Sequence, residues 1–302
     1  MSELNDHELI EELMKRFDQT KKALLEVQQL NKELKQVNKK LEESEALKSH
    51  FISNITNEII NPFASILALS RNIMKVGKQD WKEVQKMVTL IYSEAFNLDF
   101  QLRNIFVAAK LEAGEIFPEV LNVDILQLLE SLVESFKYES DKKNITVDLD
   151  LQIEATANKP YYFKTDAEKL RLIIANLLFN AIKFSDKESK VILKVWLKGK
   201  NLMISVKDFG CGVSEENLKI IFDRFKRLDS GINSLNRGHG LGLSINKALI
   251  DLFDGKIELE SELGKGSLFT VTIPESNIDT KGFALDGNEL FFDDEEGEKE
   301  TF

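Results

Sequence analysis

The sequence holds a single cysteine, Cys211, among its 302 residues. That excludes an internal disulfide and suits a reducing compartment. Proline is scarce, at four residues, and both proline and glycine are missing from the stretch 9–47, so nothing there interrupts a helix. No apolar run approaches the ~20 residues that a membrane span requires, and no signal peptide opens the sequence. The expectation is a soluble, cytoplasmic protein with no membrane span. Basic residues are outnumbered, 40 against 51, for a net charge of −11. The stretch 275–302, with ten acids and two bases, carries −8 of that and leaves −3 for the rest. Nothing in so balanced a body argues for nucleic acid as a partner. Histidine is the last scarcity: only His7, His50 and His239 are present.

What the chain has is helical periodicity. Leu13, Phe17, Leu24, Val27, Leu30, Leu34, Val37 and Leu41 follow three-and-four spacing, with a slip of phase around Val27 and Leu30. Residues 1–44 are therefore predicted to form a coiled-coil helix with one discontinuity. The alternative is a solitary helix, marginal without a partner over its apolar stripe. Next, Ile52, Ile55, Ile59, Pro62, Ile66, Leu69 and Ile73 alternate three and four. After a break at Val76-Gly77-Lys78, a second stripe runs through Ile91, Ala95, Leu98, Leu102, Ile105 and Ala109. Two amphipathic helices over 45–114 predict a helical hairpin, which two copies would bury in a four-helix bundle. Hairpin and coiled coil together predict a homodimer.

From about Pro118 short β-rich runs, 145–151, 191–197, 202–206 and 268–273, alternate with helical stretches 125–138, 167–184 and 241–253. The fold class is thus α+β: a coiled-coil helix, a dimerisation hairpin, then an α/β sandwich over 115–275, a mixed sheet with helices on one face. Residues 276–302, acidic and without periodicity, are read as a disordered tail.

The helix 169–184 is apolar almost all round, yet Asn176, Asn180 and Lys183 stand at i, i+4 and i+7 on one face. Buried amides and an ammonium need partners. A magnesium ion bound to phosphates supplies them, with amide oxygen toward the metal and lysine toward the phosphate charge. A helix that dips a polar stripe into water explains the same pattern. Glycine placement favours the ligand. Of 15 glycines, nine fall between Gly210 and Gly266, seven of them clustered in Asp208-Phe209-Gly210-Cys211-Gly212, Gly238-His239-Gly240-Leu241-Gly242-Leu243 and Gly264-Lys265-Gly266. Glycines permit close backbone approach to a ligand, and the second cluster opens a helix whose N-terminus suits phosphate. Asp208 ends a strand, placed to accept a hydrogen bond from an amino group such as that of adenine.

In that order these segments resemble the ATPase domain shared by sensor histidine kinases, gyrase, Hsp90-type chaperones and MutL. Asn176 to Ser185 resembles its N box, Asp208 to Gly212 its first glycine box, and Ile221-Phe222-Asp223-Arg224-Phe225 its F box. Gly238 to Leu243 and Gly264 to Gly266 resemble the second and third glycine boxes. The F box, the preceding hairpin and Leu111-Glu112-Ala113-Gly114 at its end point to the sensor histidine kinases of two-component systems. The resemblance covers roughly residues 45–275. It implies ATP and magnesium as cofactors, with Asn180 coordinating the metal, Asn176 and Lys183 supporting the phosphates, and Asp208 reading adenine. It further implies that Gly210, Gly212, Phe222, Arg224, Phe225, Gly238, Gly240, Leu241, Gly242, Leu243, Gly264 and Gly266 border the nucleotide. A mobile lid would run from about Leu218 to Gly240. Phe209 stands where the family usually has a small residue, so its ring would crowd the base or stack on it; Cys211 reads as a small, semi-buried spacer.

The hairpin's first helix contains Phe51-Ile-Ser-Asn-Ile-Thr-Asn57-Glu58-Ile-Ile-Asn61-Pro62, which resembles the family's phospho-acceptor segment: His-Glu, two further residues, Thr or Asn, then Pro. Asn57 takes the histidine position, and Ile60 replaces a usual basic residue. At ~100° per residue from Ile55, Asn57 lies near about 200° and Asn61 near about 240°, away from the packed stripe. An imidazole nitrogen is a nucleophile near neutral pH, whereas an amide nitrogen is not, so phosphoryl transfer onto position 57 is expected to be lost. The resemblance implies a response-regulator receiver domain as partner, and implies that Glu58 and Asn61 assist hydrolysis of its phosphate. Three possibilities stay open: a kinase core silenced at Asn57, a response-regulator phosphatase, or a non-enzymatic scaffold that pairs with a separate sensor or kinase.

Overall fold

The computed structural model describes residues 6–77, 80–154, 159–218, 220–222, 240–278, 280 and 282–284, with backbone alone at 6–9, 12, 40, 43–44 and 46–58. Helix α1 spans Asp6–Ile73, and the chain divides into two units, Met1–Asn54 and Ile55–Phe302. In the first unit the eight residues of the predicted coiled-coil stripe are all exposed, from 53% at Val27 to 70% at Phe17.

In the second unit the end of α1 is followed by α2 at Trp81–Ala113. Ile59, Ile66, Leu69 and Ile73 are half-buried and Pro62 is buried. Gly114 ends α2 in the left-handed conformation, φ 68°, and its N–H reaches back to the Leu111 carbonyl; a β-carbon there would be strained. Of the predicted α2 stripe, Ile91, Leu98, Leu102 and Ile105 are half-buried, whereas Ala95 and Ala109 are exposed. A second apolar line on α2 does the packing within the chain. Phe96 meets Phe136 edge-on at 5.3 Å, and Phe100 lies 4.8 Å from Phe179. The aliphatic periodicity drew attention to one face of α2, while its aromatics hold the other against the sandwich.

The sandwich is built from β1 (Leu121–Asp124), α3 (Ile125–Asp141), β2 (Thr146–Gln152), β3 (Tyr162–Thr165), α4 (Ala167–Phe184), β4 (Lys190–Lys198), β5 (Asn201–Lys207), α5 (Glu215–Leu218), α6 (Gly242–Leu252), β6 (Lys256–Glu262), β7 (Gly266–Pro274) and β8 (Phe283–Ala284). Five strands run in the order β2-β4-β5-β7-β6, and a smaller sheet runs β3-β1-β8. Only β2 and β4 are parallel within the larger sheet. Strand alternation sends Val191, Leu193 and Val195 inward, each fully buried, on the face that α4 covers, and leaves Lys194 and Trp196 on the other face. The fold is therefore α+β, as expected. Helices α3 and α4 begin on aspartate caps: Asp124 accepts from Gln127 N–H at 3.2 Å, and Asp166 accepts from Lys169 N–H at 2.9 Å.

Strands β1, β3, β6 and β8 are not foreshadowed by the sequence. The first and third are only four residues long, and β6, Lys-Ile-Glu-Leu-Glu-Ser-Glu, is a charged edge strand. The tail needs a partial correction. Phe283–Ala284 pairs with β1, and Asn122 Nδ2 donates to the Thr280 and Gly282 carbonyls at 3.3 and 3.1 Å. A polar side chain thus anchors a stretch whose composition alone suggested no structure. Residues 285–302 lie outside the described residues.

Candidate functional site

The polar stripe of α4 opens into a cleft of ≈ 570 Å³. Asn176, Asn180 and Lys183 line it, as do Asp208, Gly212 and the α6 N-terminus from Gly240 to Leu243. Gly210, Phe222, Gly264 and Gly266 do not. Arg224, Phe225 and Gly238 lie outside the described residues, as do most of the expected lid and the side chains of all three histidines.

Asp208 follows β5 and is 5% exposed. Its Oδ1 accepts from the N–H groups of Gly210 (3.0 Å) and Ser267 (3.2 Å). Burial pushes its carboxyl above its ordinary value, and those two N–H groups pull it partly back. A carboxylate has about four acceptor positions, so capacity for an incoming donor is left. The side chain of Asn180, half-buried, makes no hydrogen bond among the described residues and presents its amide to the cleft. Lys183 Nζ lies 5.1 Å from the Phe184 ring centroid.

Asn176 is placed differently from the expectation. It is 2% exposed, and its Nδ2 donates to Asn246 Oδ1 at 2.8 Å and to the Gly242 carbonyl at 3.4 Å. Asn246, fully buried, donates in turn to the Ile173 carbonyl at 2.9 Å. This pair ties α4 to the first turn of α6, so Asn176 holds the backbone at the start of α6 in place. At its other end α4 is capped by the Lys143 ammonium, which donates to the carbonyls of Ile182 (3.0 Å), Lys183 and Ser185 (3.2 Å). Burial lowers the Lys143 pKa.

Gly210, Gly212 and Gly266 lie close against protein backbone, whereas a β-carbon on Gly264 would meet nothing within 4 Å. At Gly266, φ 94°, an added β-carbon would strike the Asp208 carbonyl; the cluster exists so that β7 closes against the Asp208 turn. Phe209 does not line the cleft. Its ring sits under Lys207 Nζ at 5.0 Å and Lys190 Nζ at 5.7 Å. Cys211 is exposed and lines the cleft, not semi-buried.

One wall went unseen in the sequence: Phe100, Gln101 and Asn104 of α2 also line the cleft. Two amides three residues apart beside Phe96 and Phe100 were the available signal. At the hairpin's acceptor segment, Asn61 is exposed on α1, and the side chains of Asn57 and Glu58 lie outside the described residues.

Residues 165–277 match the family described as "Histidine kinase-, DNA gyrase B-, and HSP90-like ATPase". The chain carries a histidine-kinase-type ATPase domain of that family, preceded by helices. It is 30% identical over 284 residues to the Circadian input-output histidine kinase CikA of Synechocystis sp., covering 92% of this chain and 37% of that one. It is 31% identical over 233 residues to the Sensor protein RprX of Bacteroides fragilis, covering 76% of this chain and 44% of the relative. The chain thus spans less than half the length of either. Among solved structures, full-length ShkA in complex with AMPPNP shares the fold at TM-score 0.51 and 24% identity, covering 78% of this chain and 47% of that one. Among the described residues no helix is long and apolar enough to cross a membrane.

Proposed function

We propose that this chain is the nucleotide-binding core of a two-component histidine kinase that holds Mg-ATP in the α4–α6 cleft and does not phosphorylate itself at Asn57. The observation that carries this is the buried Asp208 carboxylate, braced by two backbone N–H groups, in a cleft that also holds an unbonded amide and a helix N-terminus. The residues fit the group. Asp208 accepts from the adenine amino group, the first N–H groups of α6 face phosphate, and Lys183 adds positive charge. Magnesium takes few protein ligands and keeps waters and phosphate oxygens, which suits a single amide oxygen from Asn180. Bound Mg-ATP supplies the phosphoryl group and the charge that neutralises it. Two copies pair through the hairpin and the exposed coiled-coil stripe, and a receiver domain docks on the hairpin.

Incubation with γ-labelled ATP tests the acceptor. The protein should gain no acid-labile phosphate, and Asn57→His should gain it. Acid-labile label on the unaltered chain would sink the proposal at that position. The exposure of Asn61 favours a second activity, in which its amide orients water against a receiver's acyl phosphate. Dephosphorylation of a phosphorylated receiver by the chain, abolished in Asn61→Ala, supports it. Neither activity together with a co-purifying kinase supports the scaffold.

A further inference from the structure

Among the described residues, four buried side-chain atoms lack a hydrogen-bond partner: Gln101 Oε1, Asn104 Oδ1, Thr165 Oγ1 and Ser185 Oγ. The first two belong together. They sit three residues apart on α2, hence on one face, and both residues line the same cleft as Asn180 and Asp208. Asn104 is 5% exposed, and its Nδ2 donates to the Phe100 carbonyl at 2.9 Å. That bond fixes the amide orientation, since a carbonyl accepts only from nitrogen. The oxygen is therefore the atom left without a partner. A buried amide oxygen left unpaired is costly unless a ligand or water completes it.

The position of this wall narrows the ligand chemistry. Phe100 packs on Phe179, the neighbour of Asn180, and α2 packs beside α6, whose first turn ends the cleft. Phosphate oxygens are acceptors and cannot satisfy an amide oxygen. The groups of a bound nucleotide complex that offer O–H donors are the ribose hydroxyls and water on the cation. We infer that Gln101 and Asn104 are nucleotide-binding residues contributed by the hairpin, their amide oxygens accepting hydrogen bonds from O–H donors of the bound Mg-ATP complex. This rests on the proposed nucleotide site. The hairpin helix thereby touches the nucleotide directly, and occupancy of the cleft strengthens the hold of α2 on the sandwich.

Calorimetric titration of Mg-ATP into the full chain, its Gln101→Leu and Asn104→Leu variants and the double variant tests this, alongside melting of each without nucleotide. Each single variant should bind about three- to tenfold more weakly. Asn104→Leu should melt, nucleotide-free, at or above the unaltered chain, because it removes an unpaired buried acceptor; a purely structural role would lower the melting temperature and leave affinity alone. If Asn104→Leu does not fold, Gln101→Leu, at a less buried position, carries the same test. If ribose is the donor, 2′- or 3′-deoxy-ATP binds the unaltered chain as weakly as ATP binds the variants. If metal-bound water is the donor, the difference vanishes when magnesium is omitted. Variants that fold and bind Mg-ATP as tightly as the unaltered chain overturn the inference. An unaltered chain that binds no Mg-ATP overturns the nucleotide site itself, and this assignment with it.

Discussion

On the proposed site, Asp208 is the residue on which nucleotide recognition turns. Burial raises its carboxyl pKa, so the folded chain holds that proton more tightly than the unfolded one. The stability this group contributes is present below its ordinary pKa and lost as pH rises through the raised value. Asp208→Asn keeps an oxygen for Gly210 and Ser267 while shedding the buried charge. It should melt at or above the unaltered chain at neutral pH, and bind ATP about ten- to a hundredfold more weakly because an amide NH₂ now faces the adenine amino group. Affinity of the unaltered chain should also fall as pH is lowered through that raised pKa, measured by calorimetry across pH. The placements of Asp208, Asn180 and Lys183 on the cleft were legible from a polar stripe on an apolar helix and an acid before a glycine cluster. The work of Asn176 was not, because its partner Asn246 lies 70 residues away and spacing along one helix reveals nothing of that pairing. The place of Phe209 was not legible for a related reason: alternation at a strand's end decides which side of the sheet a ring takes, and the two lysines beside it are visible only in three dimensions.

At the scale of elements, α4 is the beam of the domain. Leu170, Ile173, Ile174, Leu177 and Leu178 are at most 1% exposed, and their all-round apolarity marked the helix in the sequence with its observed limits. Leu177→Ala should cost about 2–5 kcal/mol of unfolding free energy, read by denaturant titration. Lys143→Met should loosen the last turn of α4, seen as faster amide hydrogen exchange around Lys183 with the core unaffected, since the ammonium bridges three carbonyls there. Helix α2 was only half legible. Its aliphatic stripe predicted the hairpin, but the aromatic line that seats it on the sandwich follows the same 3.6-residue period on another face. Periodicity alone does not say which face meets which neighbour. Short strands such as β1 and β8 escaped because a few residues carry too little alternation to stand above a loop.

The whole molecule leaves a long apolar stripe uncovered on the N-terminal part of α1 and exposes Ala95 and Ala109 on α2. On the proposed assembly a second copy covers them. Leu24→Asn with Leu34→Asn should shift the chain from dimer toward monomer in sedimentation equilibrium while nucleotide affinity stays unchanged. That long helices precede the mixed sheet was readable because helical stripes and alternating strands differ in texture. The α2 wall of the cleft was not, because it depends on the docking of α2. All of this stands on the cleft holding an adenine nucleotide, and the most direct measurement is calorimetric titration of Mg-ATP into the full chain beside Asp208→Asn and Asn57→Ala. The prediction is saturable binding at one site per chain, unchanged in Asn57→Ala and weakened at least about tenfold in Asp208→Asn. Absence of saturable binding, or equal affinity in Asp208→Asn, would contradict it.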